Sequence, residues 1–298
     1  MNITTDQVNH FLKSQFRSGD IVVKLIFVNI GIYLLLKIIA ILEWLFQLNN
    51  QPLLNFFNEW LFLPAKASEF LYKPYTLISY QFIHDSFWHL LVNVMLLFFF
   101  GKMLISIKGF KQVLPIYFLG GIFGGIVFVL FHSLELVPVM GSPISGASAS
   151  IMALMGAVAF LRPDYPVKFF LVFDVKLKWL ALGFAVLNLL NLGNIEGAGP
   201  GLIHLAGIAF GVGMMFLDSI NISLSKPFNN TVNMLLALFN KKPQPRVTFV
   251  NPNPVKKGNS QKNKQKKIDE ILDKISTDGY ASLSKSEKDF LFQASKKS

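Results

Sequence analysis

Residues Ile144–Gly156 read I-S-G-A-S-A-S-I-M-A-L-M-G and open an apolar stretch that runs to Leu161. Wound as a helix, the stretch is long enough, or nearly so, to cross a bilayer. Its first turns nonetheless carry Ser145, Ser148 and Ser150 among Gly146, Ala147 and Ala149. Small residues at that density let a second backbone, or a substrate, come close. A hydroxyl just inside the end of such a helix is either packing glue or a nucleophile, and the rest of the chain decides between the two.

Working outward, the 298 residues are 52% hydrophobic and only 15% charged, with 30 Phe and no Cys. A soluble domain of this length needs more charge to cover its surface, so the composition is that of a polytopic helical membrane protein. The missing Cys excludes disulfides, thiolate metal sites and a Cys nucleophile. The net charge of +11 is concentrated at the end: 14 of the 28 Lys and Arg lie from Lys241 onward. No aromatic residue is interleaved with its densest Lys run, 256–267, so the block reads as a solvated tail beside an anionic leaflet rather than a nucleic-acid surface.

Hydropathy divides the chain into six spans: Ile21–Phe46, Phe87–Ile107, Val113–Phe131, Ile144–Leu161, Leu177–Leu192 and Gly201–Ile220. Before them, about twenty polar residues with no cleavage site after the first apolar run predict a retained anchor rather than a signal peptide. Lys37, inside the first span, must snorkel or face protein. Asn49–Ser86 is a long but apolar loop with Phe56, Phe57, Trp60, Leu61 and Phe62 together, which predicts a re-entrant or interfacial segment. Lys and Arg crowd the N-terminal segment, the 102–111 and 162–178 connections and the tail, while 133–143 and 193–200 have none. That asymmetry predicts both termini in the cytoplasm, and short loops without a transit peptide point to a bacterial plasma membrane. The organisation is then a cytoplasmic segment at 1–20, a six-span core at 21–220, a juxtamembrane segment and basic linker at 221–258, and a cytoplasmic helical hairpin at 259–298. The hairpin rests on Ile268, Ile271, Leu272 and Ile275 at helical spacing and on a capping box at Ser284–Glu287.

Under this topology spans two, four and six all start on the outer face, and the intramembrane polar residues sit at those starts. His89 and Asn93 begin span two, Ser148 begins span four and His204 begins span six. At ~1.5 Å per residue each lies within roughly 10 Å of the outer interface. Polar groups at one depth in lipid are functional or mutually paired. A Ser hydroxyl becomes a nucleophile when a base accepts its proton, and His is the base of suitable pKa. An Asn N–H aimed at the same point stabilises an oxyanion, and His89 shares the face of Asn93 at i, i+4. With no buried acid to complete a triad, the pattern predicts a Ser–His dyad. His84 reads as a structural residue at the mouth of the site, and Asn188 and Asn191 as residues bonding across helices from span five. A transporter would place charge at mid-membrane or show an inverted repeat, and neither is present.

Three stretches occur in order: Tyr80–Asn93 (Y-Q-F-I-H-D-S-F-W-H-L-L-V-N), Gly146-Ala147-Ser148-Ala149, and His204–Gly211 (H-L-A-G-I-A-F-G). Together they resemble the motifs of the rhomboid intramembrane serine proteases, over roughly residues 20–220. The resemblance implies an all-α six-span bundle with a membrane-embedded first loop, Ser148 as nucleophile and His204 as general base. It implies oxyanion stabilisation by Asn93, His89 and the Ser148 N–H, and packing of the Gly207 and Gly211 face against span four. It further implies cleavage of transmembrane protein substrates within or near their spans, without metal or cofactor. The alternative is an inactive binder of membrane-protein clients, which in this family usually lacks the Ser or the His. Two positions depart from the pattern. Ala149 stands where the family has Gly, which puts a methyl beside the oxyanion, expected either to narrow the site or to change side-chain preference, with activity surviving. Lys73-Pro74-Tyr75-Thr76 stands where the first loop has Trp-Arg, which alters how that loop is anchored.

Overall fold

The computed structural model describes residues 20–48, 50–136, 143–169, 173–194, 197–239 and 257–295. Most of the N-terminal segment at 1–20 and residues 240–256 of the basic linker lie outside those residues. The chain divides into two compact units, 1–240 and 241–298.

The first unit is a helical bundle. Its apolar helices are α1 (Ile21–Leu45), α5 (Phe87–Lys108), α6 (Val113–Ser133), α7 (Ser148–Leu161), α8 (Leu177–Asn191) and α9 (Ala198–Ser219). Among the described residues α1, α5, α6 and α9 are long and apolar enough to cross a membrane, and α7 and α8 are shorter apolar helices. Three small helices, α2 (Pro52–Leu61), α3 (Ala67–Tyr72) and α4 (Thr76–Ser79), build the first loop, and α10 (Ser225–Phe239) follows the sixth span.

At the centre stands α7. Every residue from Ser148 to Ala159 is buried, the mark of a helix enclosed by protein on all sides. Its 14 residues reach only ~21 Å, well short of a bilayer's hydrocarbon. The expected span from Ile144 is therefore four residues too long. Ile144 instead pairs in antiparallel fashion with Leu63, each N–H 2.9 Å from the other's carbonyl, and Gly146 has φ +119°. Extended backbone at this depth is tolerated because protein satisfies it. The sixth span, by contrast, starts three residues early, at Ala198.

Glycine lets α6 and α9 close on α7. A Cβ at Gly207 or Gly211 would drive into the Ala149 or Ala153 carbonyl, and one at Gly156 into that of Ile208. Gly120 and Gly124 of α6 face Ala153 and Ala149 in the same way. Backbones thus touch along the α7–α9 seam, the close approach that small residues permit in membranes.

The first loop is tied down by buried acids and amides. Glu43, 1% exposed within α1, accepts the N–H groups of Leu53 and Leu54 and so caps α2 from outside. Lys37 faces protein, donating to the Asp85 carbonyl at 3.1 Å. Where the family pattern has Trp-Arg, Lys73 donates to the Glu59 carbonyl at 3.1 Å and lies 4.7 Å from the centre of the Trp60 ring, so a cation–π contact anchors this loop. The 162–178 connection adds a short antiparallel ladder, β1 (Pro166–Phe169) with β2 (Phe173–Lys176), to an otherwise helical fold.

In the second unit, α11 (Lys257–Asp278) and α12 (Lys285–Ser295) pack Ile271 and Leu283 between them. The Ser284 N–H reaches Glu287 Oε2 at 2.7 Å and the Glu287 N–H returns to Ser284 Oγ at 3.4 Å. That is the reciprocal pattern of a capping box.

Candidate active site

Ser86 starts α5, its hydroxyl accepting the His89 N–H at 3.2 Å. From that start His89 and Asn93 fall on one face. The 143–147 segment is held beside them, with the Gly146 N–H donating to the Tyr80 carbonyl at 2.9 Å. A Cβ on Gly146 would lie 2.7 Å from His89 Nε2. Both the positive φ and the lack of room require glycine there.

The three serines of the opening stretch separate into different tasks. Ser145 Oγ donates to Asp85 Oδ1 at 2.9 Å, and Ser150 Oγ donates to Gln81 Oε1 at 2.9 Å. Gln81 in turn donates to the Leu77 carbonyl at 2.6 Å, and its own carbonyl accepts from the Tyr117 hydroxyl at 3.2 Å. Those two serines therefore lock the loop to the bundle. Ser148 is the first residue of α7, so its N–H has no acceptor within the helix. Among the described residues its hydroxyl has no hydrogen-bond partner.

Ser148 opens instead on a cavity of about 620 Å³. His89 and Asn93 from α5, Ser145 and Ser148 beside and on α7, Asn188 and Asn191 from α8, and His204 from α9 all line it, with Asp85 at the rim and Met152 further along α7. All four residues singled out from the sequence thus share one cavity wall. Ser148 and His204 are not hydrogen-bonded to each other, a spacing usual for such pairs before a substrate closes on them. Asn93 is 5% exposed, and among the described residues its Nδ2 has no acceptor.

His204 Nδ1 lies 2.8 Å from Asn188 Oδ1. Asn188 therefore bonds across helices as expected, whereas Asn191 lines the cavity without such a bond among the described residues. His84 is not at the mouth. It lies edge-on to His89, ring centres 5.1 Å apart, and is absent from the cavity wall. Burial pushes its imidazole down to about 4, so it packs as a neutral ring.

The Ala149 methyl does not narrow the site. It is fully buried against Gly124 of α6, and Ala149 does not line the cavity. The residue following Ser148 is turned about 100° around the helix, away from the opening. An acid does occur inside the sixth helix, Asp218, but at its far end, 2.7 Å from Lys108 Nζ. The cavity's own acid, Asp85, escaped the sequence reading because it precedes the span. Its hydrogen-bond partner, Ser145, lies 60 residues away. The donor set is poor in metal ligands, and among the described residues no cluster of His, Asp and Glu could hold an ion.

Comparison with known proteins bears on this arrangement. Residues 72–221 match the family described as the Rhomboid domain. Residues 256–297 match a family of unknown function, DUF6576. The chain is 26% identical over 153 residues to "Rhomboid protein 1, mitochondrial" of Saccharomyces cerevisiae, an alignment covering 48% of this chain and 42% of that protein. The chain thus spans less than half the length of that relative. The domain match covers half of the chain and takes in α5 to α9, the helices that form the cavity and its supports, so the chain is a multi-pass membrane protein that belongs to the rhomboid family.

Proposed function

We propose that this protein is an intramembrane serine endopeptidase that cleaves transmembrane proteins within or near their spans. Ser148 Oγ attacks the scissile carbonyl while His204 takes its proton. The negative oxygen of the tetrahedral intermediate is met by Asn93 Nδ2, by His89 and by the Ser148 N–H at the start of α7. His204 then protonates the leaving amine, and water, activated by the same imidazole, hydrolyses the acyl-enzyme. The polar wall of the cavity gives water a place at this depth. No metal or cofactor has a part in these steps. Both termini lie in the cytoplasm of a bacterial plasma membrane, a placement supported by the Lys and Arg asymmetry of the loops.

One observation carries the reading. Among the described residues, the one of the three serines without a hydrogen-bond partner shares a cavity with His204 and with a buried, unpartnered amide donor. Packing glue would have been paired, as Ser145 and Ser150 are. Replacing Ser148→Ala or His204→Ala is expected to abolish cleavage of a transmembrane peptide substrate while leaving the melting temperature in place. Full cleavage by either variant would show that the dyad is wrong.

A further inference from the structure

We propose that Asn188, on the fifth span, is a positioning residue that holds the His204 imidazole in the tautomer needed for general-base chemistry. The inference rests on the protease reading above and adds a third member to its dyad.

Asn188 is 7% exposed. Its Nδ2 donates to the Phe184 carbonyl, one turn back in the same helix, at 2.7 Å. With the nitrogen committed there, Oδ1 is the atom that faces His204 Nδ1 at 2.8 Å. Turning the amide over would set its oxygen against the Phe184 carbonyl, two acceptors with no proton between them. Because Oδ1 can only accept, Nδ1 of His204 must carry the hydrogen. The neutral ring then has its free lone pair on Nε2. A base that takes a proton from Ser148 needs that lone pair, and in the other tautomer it is lost.

A plain interhelical hydrogen bond would give the same picture, and the two accounts separate in kinetics. Packing glue affects stability, whereas a tautomer lock affects turnover and is restored by any acceptor at the same place. The experiment uses the full-length protein in detergent, a fluorogenic transmembrane peptide, and the variants Asn188→Leu and Asn188→Asp, with kcat, KM and melting temperature read for each. Asn188→Leu is expected to lower kcat by about 10- to 100-fold, the range for loss of one hydrogen bond to an ionising group, with KM held within about twofold. Asn188→Asp returns an acceptor to Nδ1 but sets its second oxygen against the Phe184 carbonyl, so it is expected to recover part of that loss in kcat while lowering the melting temperature. Wild-type kcat in Asn188→Leu, or an Asn188→Asp variant no faster than the leucine variant, would overturn the proposal while leaving the dyad standing. A wild-type protein inert to both the peptide and a fluorophosphonate would overturn the protease reading itself, and this inference with it.

Discussion

Asn93 keeps a buried amide nitrogen that meets no acceptor among the described residues, an arrangement that costs about 1–3 kcal/mol unless something else uses the donor. A developing oxyanion is such a use. Asn93→Ala is therefore expected to lower kcat by about 100- to 1000-fold with little change in melting temperature, because a donor without a partner contributes little to the fold. A drop in stability matching the drop in activity would assign Asn93 to packing instead. At this scale the sequence exposed Ser148, His204, His89 and Asn93, because polar side chains stand out in apolar spans. It did not expose the partners that separate one serine from its neighbours. Gln81 and Ser150 are 69 residues apart, and which serine is left free depends on how the loop folds back. The Ala149 methyl was misjudged for the same reason, since its direction is set by helix phase.

Spans five and two were legible at both ends to within a residue, because hydropathy changes sharply at Lys and Gly. The fourth was not. Its first four residues are apolar or small, yet the positive φ of Gly146 and the pairing of Ile144 with Leu63 keep them out of the helix. The seam between α7 and α9 depends on glycine just as strictly. Gly211→Val is expected to force these helices apart, costing about 1–3 kcal/mol or more and activity along with it, since Ser148 and His204 stand on opposite sides of that seam. Gly213→Val is the control, because nothing lies within 4 Å of a Cβ there. Thermal unfolding of the pair measures the difference, and equal losses would refute the close-contact account. In the second unit, the Ser284 hydroxyl and N–H, with Lys274, hold the Glu287 carboxyl down to about 2. A lowered carboxyl stabilises the fold above its ordinary value of 4.5, and that stabilisation is lost as pH falls through about 2. Hydrogen exchange at the 285–295 amides of the intact protein is expected to show this loss between those values, and Glu287→Gln to remove the Glu287 part of it.

Across the whole molecule, the apolar residues left exposed on the helices, among them Leu34, Leu35, Ile38, Phe98 and Leu187, are suited to lipid, not water. The proposed orientation rests on the Lys and Arg asymmetry of the loops, and the absence of Cys makes it easy to test. An impermeant maleimide added to intact spheroplasts is expected to label Asn194→Cys and to spare Lys111→Cys and Lys168→Cys until the membrane is opened. The reverse pattern would invert the topology and put the cavity on the cytoplasmic face. The central claim is that Ser148 is an activated nucleophile served by His204, and fluorophosphonate labelling of the purified protein tests it most directly. The wild-type protein is expected to be labelled at Ser148, and Ser148→Ala and His204→Ala to take no label. A well-folded wild-type protein that takes no label, or a His204→Ala variant labelled as readily as the wild type, would contradict it.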